Sequence, residues 1–328
     1  MSNLFKFIDL FCGIGGFHIA LSNLGGKCVF ASDIDKQACE VYENNYGVKP
    51  SGDITKIHED EIPSHEILAA GFPCQAFSLN GKQLGFKDSR GTLFFDVARI
   101  AKRHKPKIVL LENVANFSKH DDGRTLSVVR KIMEDMGYHF YCSVLNSSFY
   151  GVPQSRARTY MVCLLKDGPF KFPSETKSQI CLRDILLPAE ETSFLEIDPK
   201  TVILENEKLM SEEGLFGMES ISKPVRIGHI NSGRQGERIY ADWGHAITFS
   251  SHGGGIGAKT GLYIIGGRNG VVRKLHPREC ARAMGFPESF KLHKSNAANW
   301  RMFGNSVIVP LIQMIAKNAI GTEYETDT

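Results

Sequence analysis

One cysteine is notable for its surroundings. Cys74 lies between a proline and a glutamine in "GFPCQAFSLNGK", a loop-like segment that follows the apolar run "EILAAG". A thiolate in such a loop is a candidate nucleophile, whereas most single cysteines in globular proteins are small buried apolar residues. No histidine follows in the arrangement of a cysteine-histidine hydrolase, so the sequence does not favour a thiol hydrolase.

Charged residues that could assist such a thiol follow further along the chain. Glu112 in "LLENV" lies at the end of an apolar strand, at the edge where open α/β sheets place their ligands. A carboxylate that caps a helix is the alternative. Arg156 and Arg158 in "QSRARTY" indicate less by themselves, because isolated arginines are more often surface charges.

A second set of residues predicts a nucleotide site near the N-terminus. Gly13, Gly15 and Gly16 follow a strand and open a helix, where backbone N–H groups and the helix dipole favour a polar or anionic ligand. The dinucleotide pattern GxGxxG is broken by a histidine at its sixth position. Asp33 and Asp53 lie where strands would end, which suits an adenosine-containing ligand without a pyrophosphate. A tight turn with two capping or surface aspartates is the alternative.

The hydrophobic pattern predicts the elements that hold these residues. The first third of the chain reads as strand, glycine turn, helix and strand, in "FKFIDLF", "CGIGG", "FHIALSNL" and "KCVFASD", which is a βαβ unit of a parallel sheet. Further buried strands are predicted in "KIVLLENV" and "RTYMVCLL". Beyond Pro224 the glycine-rich segments predict a second domain of loops and short strands, and the final segment is helical again.

Composition limits the class of protein. The chain has 328 residues, of which 42% are hydrophobic and 23% charged, as in an ordinary globular protein without disorder bias. Its eight cysteines form no CxxC pair, so we predict neither a metal site nor a disulfide framework. No leader or membrane-spanning run is evident, which predicts a cytoplasmic protein. Residues 223–282 contain ten Lys or Arg against three Asp or Glu, a local charge of +7 that favours a polyanionic partner.

Several motifs in order carry a resemblance over nearly the whole chain. With "FIDLFCGIGG", "GFPCQAFS", "DSRGTLFF", "ENV", "VPQSRARTY", "RECARAMGFP" and "GNSV", the chain resembles the bacterial cytosine-5 DNA methyltransferases of restriction-modification systems. The resemblance implies an α/β fold, with a doubly wound, mostly parallel sheet that binds S-adenosylmethionine and an inserted small, mainly β target-recognition domain. We expect the catalytic domain at residues 1–186, completed by 304–328, and the recognition domain and hinge at 187–303.

The resemblance assigns the chemistry to four residues. Cys74 would attack carbon-6 of cytosine, which makes carbon-5 reactive toward a methyl group. Glu112 would contact ring nitrogen-3 and the exocyclic amine, with its pKa raised in a dry pocket so that it can supply a proton. Arg158 and Arg156 would hold the cytosine carbonyl oxygen and support the catalytic loop.

The resemblance also assigns the cofactor contacts. Phe17 would stack on the cofactor, Asp33 would bind the ribose hydroxyls and Asp53 the adenine amine. Ile34 departs from the family, whose members often have an aromatic residue directly after the ribose-binding acid; an aliphatic side chain gives up stacking and puts cofactor affinity in doubt. The remaining cofactor contacts by resemblance are Leu93, Asn305 and Val307, beside Gly13, Gly15 and Gly16, which the glycine turn itself predicts.

Recognition of duplex DNA would require rotation of the target base out of the stack, which costs a few kcal/mol. Gln235, or Asn80 in the loop after Cys74, would fill the vacated space, and Arg238 would read a guanine edge. Three glycines would allow close approach of the backbone to the bases: Gly253, Gly254 and Gly255. The segments "GRQGERIY" and "GGGIGAKTGLY" resemble those of a family member that methylates the inner cytosine of GCGC.

We therefore expect a monomeric DNA methyltransferase that protects host DNA from a partner endonuclease without a stable complex. Two alternatives stay open at this point. An RNA cytosine-5 methyltransferase could share the fold, although such enzymes generally lack a recognition insert of this length. A DNA-binding protein that has lost catalysis is less consistent with the presence of Cys74, Glu112 and Arg158.

Overall fold

The structure, a computed structural model, describes residues 4–73, 93–176, 180–205, 222–253, 255–267 and 270–324. Contacts within the chain group it into two units. The first unit comprises Met1–Leu145, Ala157–Pro173 and Ile312–Thr328, and the second comprises Asn146–Arg156 and Ser174–Leu311. The predicted functional division, with a recognition domain at 187–303, stays a prediction.

The four strands predicted from the hydrophobic pattern lie, with two further strands, in one six-stranded sheet with the order β2-β1-β3-β4-β6-β5. Its strands are β1 (Phe5–Leu10), β2 (Gly26–Ser32), β3 (Ile67–Ala70), β4 (Ile108–Val114), β5 (His139–Asn146) and β6 (Ala157–Leu164). The pairs β1–β2, β1–β3 and β3–β4 are parallel, and β6 runs antiparallel to β4. Strands β2 and β3 flank β1 on opposite sides, so the carboxyl ends of β1 and β3 form a topological switch point, where open α/β sheets bind ligands. The predicted mostly parallel, doubly wound sheet is confirmed.

Four helices of the first unit follow these strands in the chain. They are α1 (Gly16–Ser22), α2 (Lys36–Tyr46), α3 (Phe94–His104) and α4 (Arg124–Asp135). Helix α3 illustrates the packing: Phe94, Val97 and Ala101 recur at helical spacing and are fully buried in a cluster with residues of β1, β3 and β4. Its last turn carries basic residues, which stabilise the negative end of the helix dipole. A large apolar side chain buried this way contributes about 1.5 to 3 kcal/mol.

The second unit contains a five-stranded sheet of short strands in the order β11-β10-β9-β8-β7. These are β7 (Val202–Leu204), β8 (Arg226–Ile230), β9 (Arg238–Ala241), β10 (Leu262–Ile265) and β11 (Val271–Arg273). Helices α5 (Pro277–Ala283) and α6 (Asn296–Asn305) follow, and α7 (Val309–Tyr324) continues into the first unit from Ile312. The predicted second region of short strands is therefore present, with helices after it.

A buried ion pair joins β11 to α5 in the second unit. The two terminal nitrogens of the Arg273 guanidinium each lie 2.8 Å from one carboxylate oxygen of Glu279, and both side chains are almost completely buried. Glu279 also accepts from the backbone N–H groups of Leu187 at 2.8 Å and His276 at 2.7 Å. Because each buried charge has its partners, the pair avoids the cost of an isolated ion. In the described part of the chain, no helix has both the length and the apolar character to cross a membrane.

Candidate active site

The segment that leads to the predicted nucleophile begins at the switch point. Strand β3 is fully buried, and its carboxyl end continues into Gly71, Phe72 and Pro73. The buried Asn113 side chain donates through Nδ2 to the Phe72 carbonyl oxygen at 2.9 Å, which ties this segment to β4. Cys74 and Asn80 themselves lie outside the described residues. Sequence analysis missed Asn113, although a polar residue at the end of a buried strand next to Glu112 was a signal for such a role.

Glu112 lies near the end of β4, where the predicted carboxyl edge places it, and its nearest charged neighbour is Arg158 on β6. The Arg158 Nε lies 3.1 Å from the Glu112 Oε1, and only 14% and 10% of the two side chains are exposed. Antiparallel register places Val114 opposite Arg158, so the two charged residues lie diagonally across the strand pair. The buried Thr159 hydroxyl donates to the Val114 carbonyl oxygen at 3.1 Å and fixes the strand end.

The ion pair bears on the proton that Glu112 is expected to carry. A guanidinium at this distance stabilises the ionised carboxylate, whereas burial stabilises the neutral acid. The two effects oppose each other, and the raised pKa of Glu112 stays a prediction. What the arrangement supplies chemically is a buried carboxyl group with a fixed cation, both able to hydrogen-bond a planar polar ring.

Arg156 has different surroundings from Arg158, although the two are only two residues apart. Its side chain is 2% exposed. The guanidinium donates to the carbonyl oxygens of Phe249 at 3.1 Å, Gly304 at 2.9 Å and Ser306 at 2.7 Å, all within the second unit. These contacts hold together three separate backbone positions, including both neighbours of Asn305. Its predicted place in catalysis stays a prediction.

The predicted glycine turn connects β1 to α1. Gly13 and Gly15 have φ values of 53° and 84°, in the left-handed region that glycine favours. The Gly13 N–H donates to Asp33 Oδ2 at 2.8 Å, and the Asp35 N–H donates to Asp33 Oδ1 at 2.8 Å. Gly16 is the first residue of α1. Burial raises the pKa of Asp33, although these backbone donors partly offset that effect.

A pocket of about 680 Å³ lies at Asp33, the residue that accepts from the Gly13 N–H. Its lining includes Asp33, Ile34 and Asp53, three of the residues predicted to contact the cofactor, together with Cys39 and Lys49. The volume is in the range of small-molecule sites, and the mixture of carboxylates and an aliphatic side chain fits an adenosine group. Ile34 is 75% exposed, so its side chain is available to cover a ligand rather than being part of the core.

Asp53 does not end a strand as predicted: it is the N-cap of a short 3-10 helix (Ile54–Lys56), because its side chain accepts from the first turn of that helix. It is also the more exposed of the two acids. Its Oδ1 accepts from the Thr55 hydroxyl at 2.8 Å and from the Thr55 N–H at 3.1 Å. Among the hydrogen bonds that lower the pKa of Asp53, the one from the Thr55 hydroxyl has the largest effect. The Asp53 carboxyl group is therefore ionised at neutral pH. An ionised acceptor at this position could receive the amine hydrogens of an adenine.

Two phenylalanines near the turn differ in exposure. Phe17, the residue predicted to stack on the cofactor, lies within α1 and is only 4% exposed. Phe11 directly follows β1, is partly exposed, and has a φ of 55°, which is uncommon for a bulky residue. Strained backbone of this kind concentrates at functional sites, so Phe11 is a further candidate for the cofactor site. Nothing in the sequence alone signals its left-handed conformation.

The other residues predicted to contact the cofactor lie in both units. Leu93 precedes α3 in the first unit and is partly exposed. In the second unit, Asn305 is the exposed last residue of α6, and Val307 is buried. Their roles stay predictions.

Two glycine-rich segments of the second unit lie against each other. The Gly257 N–H donates to the Gly236 carbonyl oxygen at 2.9 Å. A side chain on Gly257 would place its Cβ 2.8 Å from that oxygen, so glycine is needed for this approach. Gly253 and Gly255 both have φ values in the left-handed region, and Gly255 also faces the Gly236 carbonyl. Gly254 lies outside the described residues.

Predicted DNA-reading side chains lie on one of these two segments. Gln235 opens a short 3-10 helix and is exposed, and Arg238 opens β9 and is half-buried. The Arg238 Nε has no hydrogen-bond partner in the ranges that the structure describes. Glu237 accepts from the Arg234 N–H at 2.9 Å and the Ser232 hydroxyl at 3.1 Å, so it shapes the turn. Because the Nε is buried, the terminal guanidinium nitrogens of Arg238, beside exposed glutamine and glycine backbone, are the donors that suit a base edge.

Ion pairs neutralise part of the positive charge of residues 223–282, so fewer cations are available to a polyanion than the sequence count indicates. Among the cations of this range that the structure describes, three form ion pairs: Arg273 with Glu279, Arg282 with Glu288, and Arg226 with Glu205. Two of those acids lie outside the counted range, so the sequence count did not include them. The cations left for a polyanion include Arg234, Arg238 and Lys259.

Comparison with known proteins places this geometry in a family. Residues 5–321 match the family described as C-5 cytosine-specific DNA methylase. Type II methyltransferase M.HhaI of Haemophilus parahaemolyticus is 50% identical over 316 residues, covering 95% of this chain and 93% of that protein. Type II methyltransferase M.HpaII of Haemophilus parainfluenzae is 41% identical over 331 residues, covering 96% and 89%.

A solved structure supports the fold. The Dnmt2 methyltransferase of S. pombe superposes with a TM-score of 0.70 at 20% identity, covering 96% of this chain and 98% of that one. At this identity the likeness concerns the fold alone. The extent of the family match and the 50% identity decide the assignment. The chain belongs to the C-5 cytosine-specific DNA methylase family, as a DNA cytosine-5 methyltransferase that uses S-adenosylmethionine and acts on double-stranded DNA.

Proposed function

We propose that this methyltransferase modifies the inner cytosine of a GCGC-containing palindrome. The observation that carries the proposal is the hydrogen bond between Gly257 and Gly236, which joins the two segments that resemble the recognition region of a GCGC-methylating relative. Through it, Gln235 and Arg238 share one surface region with Gly255. Arg238 reads a guanine edge, and Gln235 occupies the space left by the rotated cytosine.

The catalytic roles rest on the first unit. The Cys74 thiolate adds to carbon-6 of the rotated cytosine, and a carbon–sulfur bond forms while the ring takes up negative charge. Glu112, with Arg158 beside it, hydrogen-bonds the ring and supplies a proton to nitrogen-3 as that charge develops. S-adenosylmethionine supplies the methyl group. The carbon-5 proton is then lost to water, the nitrogen-3 proton returns to Glu112, and the Cys74 thiolate leaves as the aromatic ring is restored.

The cofactor is held at the switch point of the sheet. The glycine turn of residues 13–15, the start of α1 and the pocket beside Asp33 and Asp53 form the proposed site. Support comes from the pocket volume of about 680 Å³ and from the ionised state of Asp53. Phe17, Leu93, Asn305 and Val307 are proposed on the resemblance alone.

The biological setting is part of the proposal. The enzyme works as a monomer in the cytoplasm and protects host DNA from a partner endonuclease, without a stable complex between the two. Support for this setting comes from the restriction-modification relatives, which are named as type II methyltransferases.

Mapping of methylated cytosines tests the proposed sequence. The protein is expressed in a host that lacks cytosine-5 methylation, and methylated positions are read across the genome. We expect modification at the inner cytosine of GCGC, with any flanking preference visible in the same data. Cys74→Ser expressed in parallel gives the background. Methylation confined to sites without a GCGC core would contradict the proposal.

A further inference from the structure

The glycine turn is held in place from both ends of one helix. On one side, the Gly13 N–H donates to Asp33, two residues before Asp35, the N-cap of α2. On the other side, Tyr46 is the last residue of α2, and its hydroxyl lies 2.9 Å from the carbonyl oxygen of Ile14 and 3.3 Å from that of Gly15. Since carbonyl oxygens only accept, the tyrosine is the donor. The turn is therefore restrained at two points: by Asp33, just before the start of α2, and by Tyr46, at its end.

The ring of Tyr46 has little freedom to move. It stacks on His18 of α1 with ring centroids 4.0 Å apart and an interplanar angle of 15°, and it meets Tyr42 edge-on at 4.7 Å. The His18 Nδ1 lies 2.7 Å from the Tyr42 hydroxyl, which fixes both neighbours. A Cβ on Gly15 would lie 2.3 Å from the Tyr46 ring, so the ring covers this residue of the turn directly. The hydroxyl is thus preorganised against the turn.

Burial keeps these groups in the states that the contacts need. It raises the pKa of Tyr46, so the hydroxyl keeps its proton and can donate. It lowers the pKa of His18 to about 4, so the stacked imidazole is neutral at neutral pH. A neutral ring can share a hydrogen bond with Tyr42 without leaving a charge in the interior.

We propose that Tyr46 is a positioning residue for the cofactor, which acts by fixing the Ile14 and Gly15 carbonyl groups of the turn. With those carbonyl groups held by the phenol, the peptide units of the turn keep one orientation, which fixes the backbone surface that the turn offers to S-adenosylmethionine. The inference rests on the proposed placement of the cofactor at this turn. It concerns binding of the cofactor and leaves the chemical step to Cys74, Glu112 and Arg158.

Tyr46→Phe tests this role, because it keeps the stacked ring and removes only the hydroxyl. We measure the dissociation constant of S-adenosylmethionine by calorimetry, and KM and kcat on duplex DNA. The dissociation constant and KM for the cofactor should rise about five- to tenfold, the size expected when a hydrogen bond is lost. The kcat value and the DNA dissociation constant should stay within about twofold, since neither depends on the turn.

Tyr138→Phe is the matched control in the same unit. The Tyr138 hydroxyl is buried and donates to the Pro106 carbonyl oxygen at 2.7 Å, so its removal costs a similar hydrogen bond away from the turn. Both variants should lose similar thermal stability, but Tyr138→Phe should leave the cofactor KM unchanged. An unchanged cofactor KM in Tyr46→Phe, with a stability loss equal to that of Tyr138→Phe, would show a merely structural role and overturn the inference.

Asp33→Ala separates this inference from the placement of the cofactor. If Asp33→Ala weakens cofactor binding and Tyr46→Phe does not, the site is correctly placed and the role of Tyr46 is wrong. If neither change alters cofactor affinity, the cofactor does not bind at this turn, and both proposals fail. The inference stands when both variants weaken cofactor binding and the Tyr138 control does not.

Discussion

Arg158 and Glu112 form a buried ion pair across two antiparallel strands, with 3.1 Å between Nε and Oε1. The contact makes the carboxyl group and the guanidinium one polar unit at the carboxyl edge of β4. Asn113, the residue after Glu112, reaches in the same region to the backbone before Cys74, with 2.9 Å between its Nδ2 and the Phe72 carbonyl oxygen. Two consecutive residues of one strand therefore supply the carboxyl group proposed to bind the base and a contact to the segment that precedes the proposed nucleophile.

Glu112→Gln should slow methyl transfer by about a hundredfold or more, because an amide cannot supply the proton that neutralises the ring. DNA binding should persist, since the recognition segments lie in the second unit. Glu134→Gln is the control: Glu134 also pairs with an arginine, at 3.3 Å from Arg130, but on the exposed surface. Single-turnover rates with labelled cofactor measure both. A rate for Glu112→Gln equal to that of the control would remove Glu112 from the chemistry.

Arg156→Lys should destabilise the protein by about 3 kcal/mol, because an ammonium cannot reach three carbonyl oxygens that a buried guanidinium fork satisfies. Urea unfolding measures the change. Arg278 provides a comparison, since its partly buried guanidinium donates to the carbonyl oxygens of Pro287 at 3.4 Å and Phe290 at 2.7 Å. Arg278→Lys should lower the free energy of unfolding by clearly less than Arg156→Lys. An equal decrease in the free energy of unfolding for the two variants would contradict the prediction that the buried Arg156 guanidinium stabilises the protein more than the Arg278 guanidinium.

The places of Glu112 and Asp33 at the ends of strands could be predicted from the sequence, but their contacts could not, and their roles stay predictions. Glu112 follows an apolar run, and Asp33 follows the second strand, so periodicity and the βαβ pattern placed both at the carboxyl edge of the sheet. The Glu112–Arg158 pair depends on the register between β4 and β6, which lie 46 residues apart at those positions and carry no local signal of pairing. The same holds for Tyr46, whose hydroxyl contacts a backbone 32 residues away. Long-range register of this kind is set by packing of the whole sheet.

His65 predicts a pH dependence of stability. Its ring is buried, its Nδ1 lies 2.8 Å from the Pro63 carbonyl oxygen, and burial lowers its pKa from 6.5 to about 4. Between pH 6.5 and 4 the unfolded chain binds this proton and the folded protein does not, so the free energy of unfolding falls as the pH falls through that window. His65→Asn should reduce the slope by up to about 1.4 kcal/mol per pH unit. Urea unfolding at several pH values measures the slope, and an unchanged slope in His65→Asn would contradict the prediction.

Arg238 and Lys259 should differ in how they affect DNA binding. Arg238→Ala should reduce discrimination between GCGC and single-base variants by about 1 to 3 kcal/mol, since a bidentate contact to guanine is lost. Lys259→Ala should weaken binding to all sequences and flatten the plot of log affinity against log salt by about one unit. Binding titrations at several salt concentrations measure both quantities. If both variants simply lower affinity for every sequence equally, Arg238 does not read a base.

Cys39, in the pocket with Asp33 and Asp53, provides a control for the proposed covalent attack by Cys74. Cys39 lines that pocket, and burial raises its pKa to about 11, so its thiol is protonated and a poor nucleophile at neutral pH. Cys39→Ser should therefore retain the ability to form a bond with the base. Cys74→Ser should lose it, because a serine hydroxyl is scarcely ionised near neutral pH and is a poor nucleophile without an adjacent base.

The most direct measurement uses duplex DNA in which the target cytosine carries fluorine at carbon-5. After methyl transfer, expulsion of the enzyme requires loss of the group at carbon-5, and fluorine cannot leave as a cation. The wild-type protein and Cys39→Ser should each give a denaturation-resistant protein–DNA complex that requires S-adenosylmethionine, and Cys74→Ser should give none while still binding the duplex. A cofactor-dependent, denaturation-resistant complex of undiminished yield from Cys74→Ser would show that another residue attacks the base and would contradict the account.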